Sequence, residues 1–428
     1  AKLVDILDLA DPANPIKAGT LDAKAHGKKA NSVAVHGGLI AVAIAADPDQ
    51  KPGKVVFFTS GGEEVGAVEV GAGPDMVTFT PDGAYVLTAN EGEPSDDYKT
   101  DPEGSVSIIK VADKSVRTAG FGAFSRDKLP EGMRMGHPSA SFAEDMEPEY
   151  IAVSPDSRTA YVTLQENNAI AVVDIASAQV TKVFGLGYQD HSKIAFDPSN
   201  KDGGARLGTW PVWGMYMPDA IAAYEAGGKT YLVTANEGDA REYEGFEDEA
   251  RIKDVTLDPA AFPNADELQA KTNLGRLKIS PLSSDADGDG KIEKLMAFGS
   301  RSFSIWDEAG KQVFDSRSDF EKITADRLGV NFNATNDENG SGDDRSDDKG
   351  PEPEGVTVGT IGGKTYAFIG LERVGGIMVY DVTEPAAARF AGYANNRDFA
   401  GDPKAGTAGD LGPEGLAFIG ADISPNGK

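Results

Sequence analysis

Residues 74–93 read PDMVTFTPDGAYVLTANEGE. A β-forming run, the turn Pro81-Asp82-Gly83 and a second β-forming run, ending in polar and acidic residues, give two strands joined by a tight turn. Three copies follow: EYIAVSPDSRTAYVTLQEN at 149–167, PDAIAAYEAGGKTYLVTANEGD at 218–239 and PEGVTVGTIGGKTYAFIGLER at 353–373. Each copy opens on a carboxylate beside a proline (Asp75, Glu149, Asp219, Glu354). Each closes on Glu91, Glu166, Glu237 or Glu372.

Extended outward, the repeat becomes a unit of four short strands, the signature of a β-propeller blade. The second unit has strands at 31–37, 39–46, 54–60 and 64–70. The third has them at 75–80, 85–90, 105–111 and 115–120, and the fourth at 149–154, 159–165, 169–175 and 179–184. The fifth starts at Pro218 and is interrupted by an acidic, poorly periodic excursion at 241–266; strands resume near 275–281 and 291–299. A sixth, irregular unit lies around 301–314, a short helix at 320–328 and a polar loop at 331–350. The seventh has strands at 355–359, 365–370, 376–381 and 388–393. The apolar runs are short and rich in Val, Ile, Ala and Thr, without a 3.6-residue period, so helical repeats are excluded.

Residues 2–19 match the second half of the seventh unit, and residues 412–428 match only the first strand and turn of a unit. Both termini are therefore expected in one blade, which removes a free sheet edge. The expected fold is all-β: a single seven-bladed β-propeller domain over 1–428, with insertions at 121–147, 188–216, 241–266 and 329–352. Six blades is the alternative if the sixth unit is only an insertion.

The 428 residues carry 69 acidic and 41 basic side chains, a net charge of −28. Such a field repels nucleic acid and anionic membranes and attracts cations. With no Cys, disulfides, thiolate-bound metals and thiol nucleophiles are excluded. No apolar run reaches the roughly 18 residues of a membrane span, so membrane insertion is not expected. No P-loop and no G-x-S-x-G is present.

In a propeller the first strand of each blade lines the central channel. Asp75, Glu149, Asp219, Glu354 and Glu414, with Asn31 at the matching place in the second unit, should therefore meet at one mouth. Glu91 and Glu237, just after second strands, should lie near the same face. Converging carboxylates need protons or a cation, and Ca²⁺ takes six to eight such oxygens; another divalent metal is the variant of this reading. Alternatively, each acid caps a turn or pairs with Arg301 or Arg373. A second candidate is Asp285-Ala286-Asp287-Gly288-Asp289, with Glu293 at the ninth place. It reproduces the first half of an EF-hand loop but has Met296 where the twelfth-position Glu belongs. A structural calcium site and a solvated acidic turn both fit. Third, residues 333–350, NATNDENGSGDDRSDDKG, lead straight into a channel acid, as a ligand loop or a flexible insertion would. His137 and His191 sit in long insertions without metal-ligand spacing.

The runs TANEGEPSDDY (88–98), GRLKISPLSSDADGDGKIEKLMAFGSRSFSIWD (275–307) and DDKGPEPEGVTVGTIGGKTYAFIGLERVGGIMVYD (347–381) resemble the choice-of-anchor I family of bacterial secreted or surface proteins. The resemblance covers essentially the whole chain. It implies a large β-propeller outside the cytoplasm (extracellular, cell-surface or periplasmic), often fused to other modules, and an alkaline phosphatase label that many members carry. It also implies a natural chain that extends before Ala1 and beyond Lys428. Two functional expectations follow. In the first, calcium held by the channel acids binds a phosphoester, with Glu149 and Glu237 in the catalytic centre and Arg301 or Arg373 clamping the phosphate. In the second, calcium only stabilises a non-catalytic surface or matrix protein that uses its loops for binding or adhesion.

Overall fold

The computed structural model describes residues 3–427. Lys2, at the head of the first half-unit, and Lys428, at the end of the last turn, lie outside the described residues.

The chain folds as successive antiparallel meanders. Among the described residues there are five four-stranded sheets. The first contains Lys29–His36, Leu39–Ala45, Pro52–Thr59 and Glu64–Ala72. The second contains Pro74–Phe79, Tyr85–Asn90, Ser105–Lys110 and Val116–Gly120. The third contains Pro148–Val153, Thr159–Leu164, Ala169–Asp174 and Gln179–Gly185. The fourth contains Ile221–Ala226, Lys229–Asn236, Ser302–Asp307 and Gln312–Asp315. The fifth contains Pro353–Ile361, Lys364–Leu371, Ile377–Asp381 and Arg389–Ala394. A two-stranded pair, Leu3–Asp8 with Ile16–Asp22, precedes them.

Burial explains the order of the layers. Second strands such as Leu39–Ala45 are buried along nearly their whole length, because both faces of each sheet are covered by neighbours. Their sequences are accordingly continuous apolar runs rather than alternating ones. Outer strands such as Glu64–Ala72 are largely exposed at their first residues and carry charge there, which blunts the free edge. Val55, Phe57 and Val86 close the layer between the first and second sheets. Val162 and Leu87 do so between the second and third, and Trp306 with Phe184 between the third and fourth. Each such fully buried side chain contributes about 1.5–3 kcal/mol.

The segment expected as a sixth unit is not a sheet of its own. Ser302–Asp307 pairs with the second strand of the fourth sheet, from Asn236↔Ser302 to Tyr231↔Asp307, and Gln312–Asp315 pairs outside it. Residues 237–301 are thus inserted between the second and third strands of one sheet. That break in spacing is what makes the return look like a new unit. The inserted chain builds its own apolar cluster, including Ile252, Leu257, Leu274 and Leu295, together with Phe196 and Val212 from the 188–216 insertion. Parallel pairing of Val212–Met215 with Leu295–Ala297 ties the two insertions together. The helix expected at 320–328 spans Asp319–Leu328.

Side chains from the first strands of all five sheets, with Leu416, line one shared channel. Phe418 stacks on Phe368 of the fifth sheet, ring centroids 5.7 Å apart. No helix among the described residues is long and apolar enough to cross a membrane.

Candidate cation centre at the channel mouth

The first strands deliver their acids through a repeated irregularity. In the second sheet Pro74 pairs with Asn90, but the next pair is Val77 with Thr88, so an extra residue bulges out beside Asp75. The same shift follows Pro148 beside Glu149 and Pro353 beside Glu354. In the first sheet it falls between Ala30 and Ser32, at Asn31. A bulge re-aims the side chain it carries. Here it sends equivalent positions of different sheets to one end of the channel.

Second strands fix the other row. Asn90 Nδ2 donates to Ser105 Oγ and Ser107 Oγ at 3.2 and 2.9 Å, and Asn236 Nδ2 to Ser302 Oγ and Ser304 Oγ at the same distances. These buried amides pin the third strand and set where the following residue, Glu91 or Glu237, leaves the sheet.

The two rows enclose a cavity of about 710 Å³. Asp75, Glu91, Glu149, Asp219 and Glu237 all line it. Two of them, Asp219 and Glu237, converge with Glu354, the three offering one oxygen each within 4.8 Å of one another. Asp75, Glu91 and Glu149 share the cavity but do not belong to that triad. Burial, reinforced by neighbouring carboxylates, pushes the carboxyl groups of Asp219, Glu91 and Glu149 well above their usual range. Burial and the charges of Asp219 and Glu237 push Glu354 up to about 10. Glu237 is pushed up to about 7 by burial, although Lys349 pulls it down.

The converging donor set is oxygen-only, which suits a hard cation. Glu237 accepts from Gln165 Nε2 at 3.1 Å and Lys349 Nζ at 3.0 Å. Lys349 also lies 3.4 Å from Asp239 and 3.5 Å from Glu352. It comes from the polar loop 333–350, whose end is buried: Ser346 is 0 % and Lys349 9 % exposed. Arg345, Asp348 and Lys349 form part of the cavity wall.

The sequence profile of the Choice-of-anchor I domain matches residues 1–385. The chain belongs to the choice-of-anchor I family. Over 294 residues, 60 % of this chain, it is 28 % identical to the mesenchyme-specific cell surface glycoprotein of Strongylocentrotus purpuratus, covering 37 % of that protein. Over 118 residues, 26 % of the chain, it is 34 % identical to Gigasin-3a of Magallana gigas, covering 41 % of it. The chain thus spans about two fifths of the length of these curated relatives. Among solved structures it is similar to a Lactobacillus plantarum protein (TM-score 0.46, 11 % identity, 92 % of this chain and 77 % of that one). It is also similar to the Kuenenia stuttgartiensis hydrazine synthase (TM-score 0.44, 14 % identity, 89 % and 70 %).

Not every residue singled out in this choice-of-anchor I domain reaches the mouth. Glu414 is exposed and supplies no atom to the triad, though its charge helps raise Glu354. Arg301 is 4 % exposed and spends its donors elsewhere. It bonds to Asp197 O, Glu321 Oε1, Ser346 O and Asp348 O at 2.7–2.8 Å, a structural knot rather than a free phosphate clamp. Arg373 is held by Glu352 at 3.0 Å and Glu372 at 3.1 Å. Away from the mouth, Asp285, Asp287, Asp289 and Glu293 do come together, their oxygens within 4.8 Å of one another. Backbone N–H groups of Gly288 and Gly290 donate to Asp285, and that of Ala286 to Glu293. His137 stacks on Tyr98 and His191 is buried against Phe196.

Lys349 and Arg241 carry no local signal in the sequence. Arg241 is buried in the excursion, where it pairs with Glu147 at 2.8 Å and donates to Tyr98 Oη at 3.1 Å. Both partners lie far away in sequence, so no spacing announces the contact.

Proposed function

We propose that this choice-of-anchor I domain is a calcium-dependent surface or secreted module, with Asp219, Glu237 and Glu354 as the ligands of a cation at the channel mouth. The observation that carries the reading is their convergence, each offering an oxygen within 4.8 Å of the others. Three carboxylates this close repel one another unless a proton or a cation intervenes. Calcium supplies the neutralising charge and accepts the remaining oxygens of the site. Likeness to a protein named as a cell surface glycoprotein supports placement outside the cytoplasm. On this reading the ring has six blades, the strand pair at residues 3–22 and the segment around Leu416 sharing the sixth. The 285–293 loop takes a structural calcium that stiffens the insertion.

Calorimetric titration of chelator-stripped protein with CaCl2 tests the mouth site. Binding that Glu354→Gln weakens supports it, and an unchanged isotherm in that variant sinks it. Chelation should also lower the thermal midpoint.

A second reading, phosphoester hydrolysis, is favoured by one feature: Lys349 and Arg345 sit in the same cavity wall as Asp219 and Glu237. Cation and ammonium together would hold an anionic phosphoester that the bare acids repel. A chromogenic phosphomonoester assayed with calcium and then with chelator decides it. No turnover with any divalent metal leaves the binding or adhesion role standing alone.

A further inference from the structure

Asp219 and Glu237 are only two of the acids that line the cavity. Asp75, Glu91, Glu149 and Glu166 also line it, in the region fed by the second and third sheets. No hydrogen bond or ion pair from another described side chain reaches the carboxylates of Asp75, Glu91 and Glu149, whereas Glu237 has Lys349 and Gln165. Glu166 is 6 % exposed, and its Oε2 is buried with no hydrogen-bond partner. Asn31, at the bulge of the first sheet, lines the cavity too. Its Nδ2 donates to Pro74 O at 3.1 Å, while its Oδ1 is buried and unpartnered. A buried carboxylate oxygen and a buried amide oxygen left unsatisfied in one polar cavity each carry a desolvation cost. Only a donor or a cation relieves it, and no protein donor reaches either oxygen.

We propose that a second hard divalent cation of the calcium class binds at this wall, drawing together Asn31 Oδ1 and the carboxylates of Asp75, Glu91, Glu149 and Glu166; no three of these carboxylates bring oxygens within 4.8 Å of one another without it. The inference rests on the cation reading of the cavity and extends it from one ion to two. It also gives the bulge in the first sheet a purpose: Asn31 occupies the place that acids hold elsewhere, and contributes a neutral oxygen. Two protein cations stand nearby. Lys29 eases the electrostatic load on Asp75, and Arg241, itself bonded to Glu147 and Tyr98, eases that on Glu166. Glu93, bonded to Tyr243, adds one more negative charge to the wall.

The test is calorimetric titration with CaCl2 of chelator-stripped protein carrying Asp287→Asn and Asp289→Asn, which silences the 285–293 loop. Two equivalents are expected. Glu166→Gln should remove one equivalent and leave the other with its affinity unchanged, whereas Glu354→Gln should remove the other. Glu91→Gln serves as a second probe of the wall. Each Glu→Gln swap keeps the shape and deletes a repelled charge, so the cation-free fold is expected to persist, checked by circular dichroism. One equivalent that Glu354→Gln abolishes and Glu166→Gln leaves intact overturns the second subsite but not the first. Loss of all binding in either variant also overturns it, since one shared ion would then account for the cavity. No binding in any form overturns both readings.

Discussion

Lys349 places its ammonium 3.0 Å from Glu237, the most buried member of the triad, and so acts as an internal counter-ion. It must compete with any metal for that carboxylate. Lys349→Gln removes the competitor and should raise calcium affinity several-fold, read by titration; weaker binding would show that the lysine helps to organise the site. Protonation is the other neutraliser. Burial raises Glu237 and Glu166 to about 7, and burial with the neighbouring charges of Asp219 and Glu237 raises Glu354 to about 10. Acids raised in the fold add stability below their unfolded pKa, and that stability is lost as pH climbs through the folded values. Cation-free protein should therefore melt at progressively lower temperature from about pH 5 through 7 and on towards 10. Calcium should flatten the trend by holding the carboxylates ionised, and scanning calorimetry at several pH values checks both. Arg301 acts in another way. Arg301→Met strands Glu321, which is 1 % exposed, and frees three carbonyl acceptors; breaking such a buried pair costs about 3–5 kcal/mol. Chemical denaturation should register that loss, and the midpoint should not recover with calcium.

At the scale of elements, the strand pairs around each turn are readable because their apolar runs, Gly-containing turns and flanking polar residues agree. Tyr85–Asn90 lies where the sequence put it. The acids are readable because a repeat makes positions equivalent: Asp219 and Glu354 occupy corresponding places in two units and meet Glu237 in space. The bulges are not readable, since a single extra residue in a strand leaves no compositional mark, yet they re-aim Asp75, Glu149 and Glu354. The return of the chain at Ser302 is misleading because 65 intervening residues, 237–301, hide the pairing with Asn236. Its buried serines are the available trace: Ser302 and Ser304 match Ser105 and Ser107 in carrying the amide of a second-strand Asn. Asn236→Ala should remove the amide that Ser302 and Ser304 share. A loss of about 1–3 kcal/mol is expected, with binding at the adjoining Glu237 weakened in parallel. A stability loss without any change in binding would separate the two roles.

Across the whole molecule, 69 acids against 41 basic residues leave a charge of −28, and the wall of the mouth concentrates twelve acids against six basic residues. Salt screens exposed charges far better than buried ones. Raising sodium chloride should therefore rescue chelated protein only partly, whereas calcium at far lower concentration should restore it. The loop 333–350 connects this charge to the scaffold. Its composition of Asn, Asp, Ser and Gly describes a solvated tether, but Asp343 N donates to Phe332 O, Arg345 N to Asn333 O and Gly350 N to Arg345 O, and Arg301 grips two of its carbonyls from below. In deuterium-labelling terms, a stretch that looks like a fast exchanger should behave as one of the slow ones. Its amides would open together with the sheets it joins, so the cavity wall would fail only when those sheets themselves come apart.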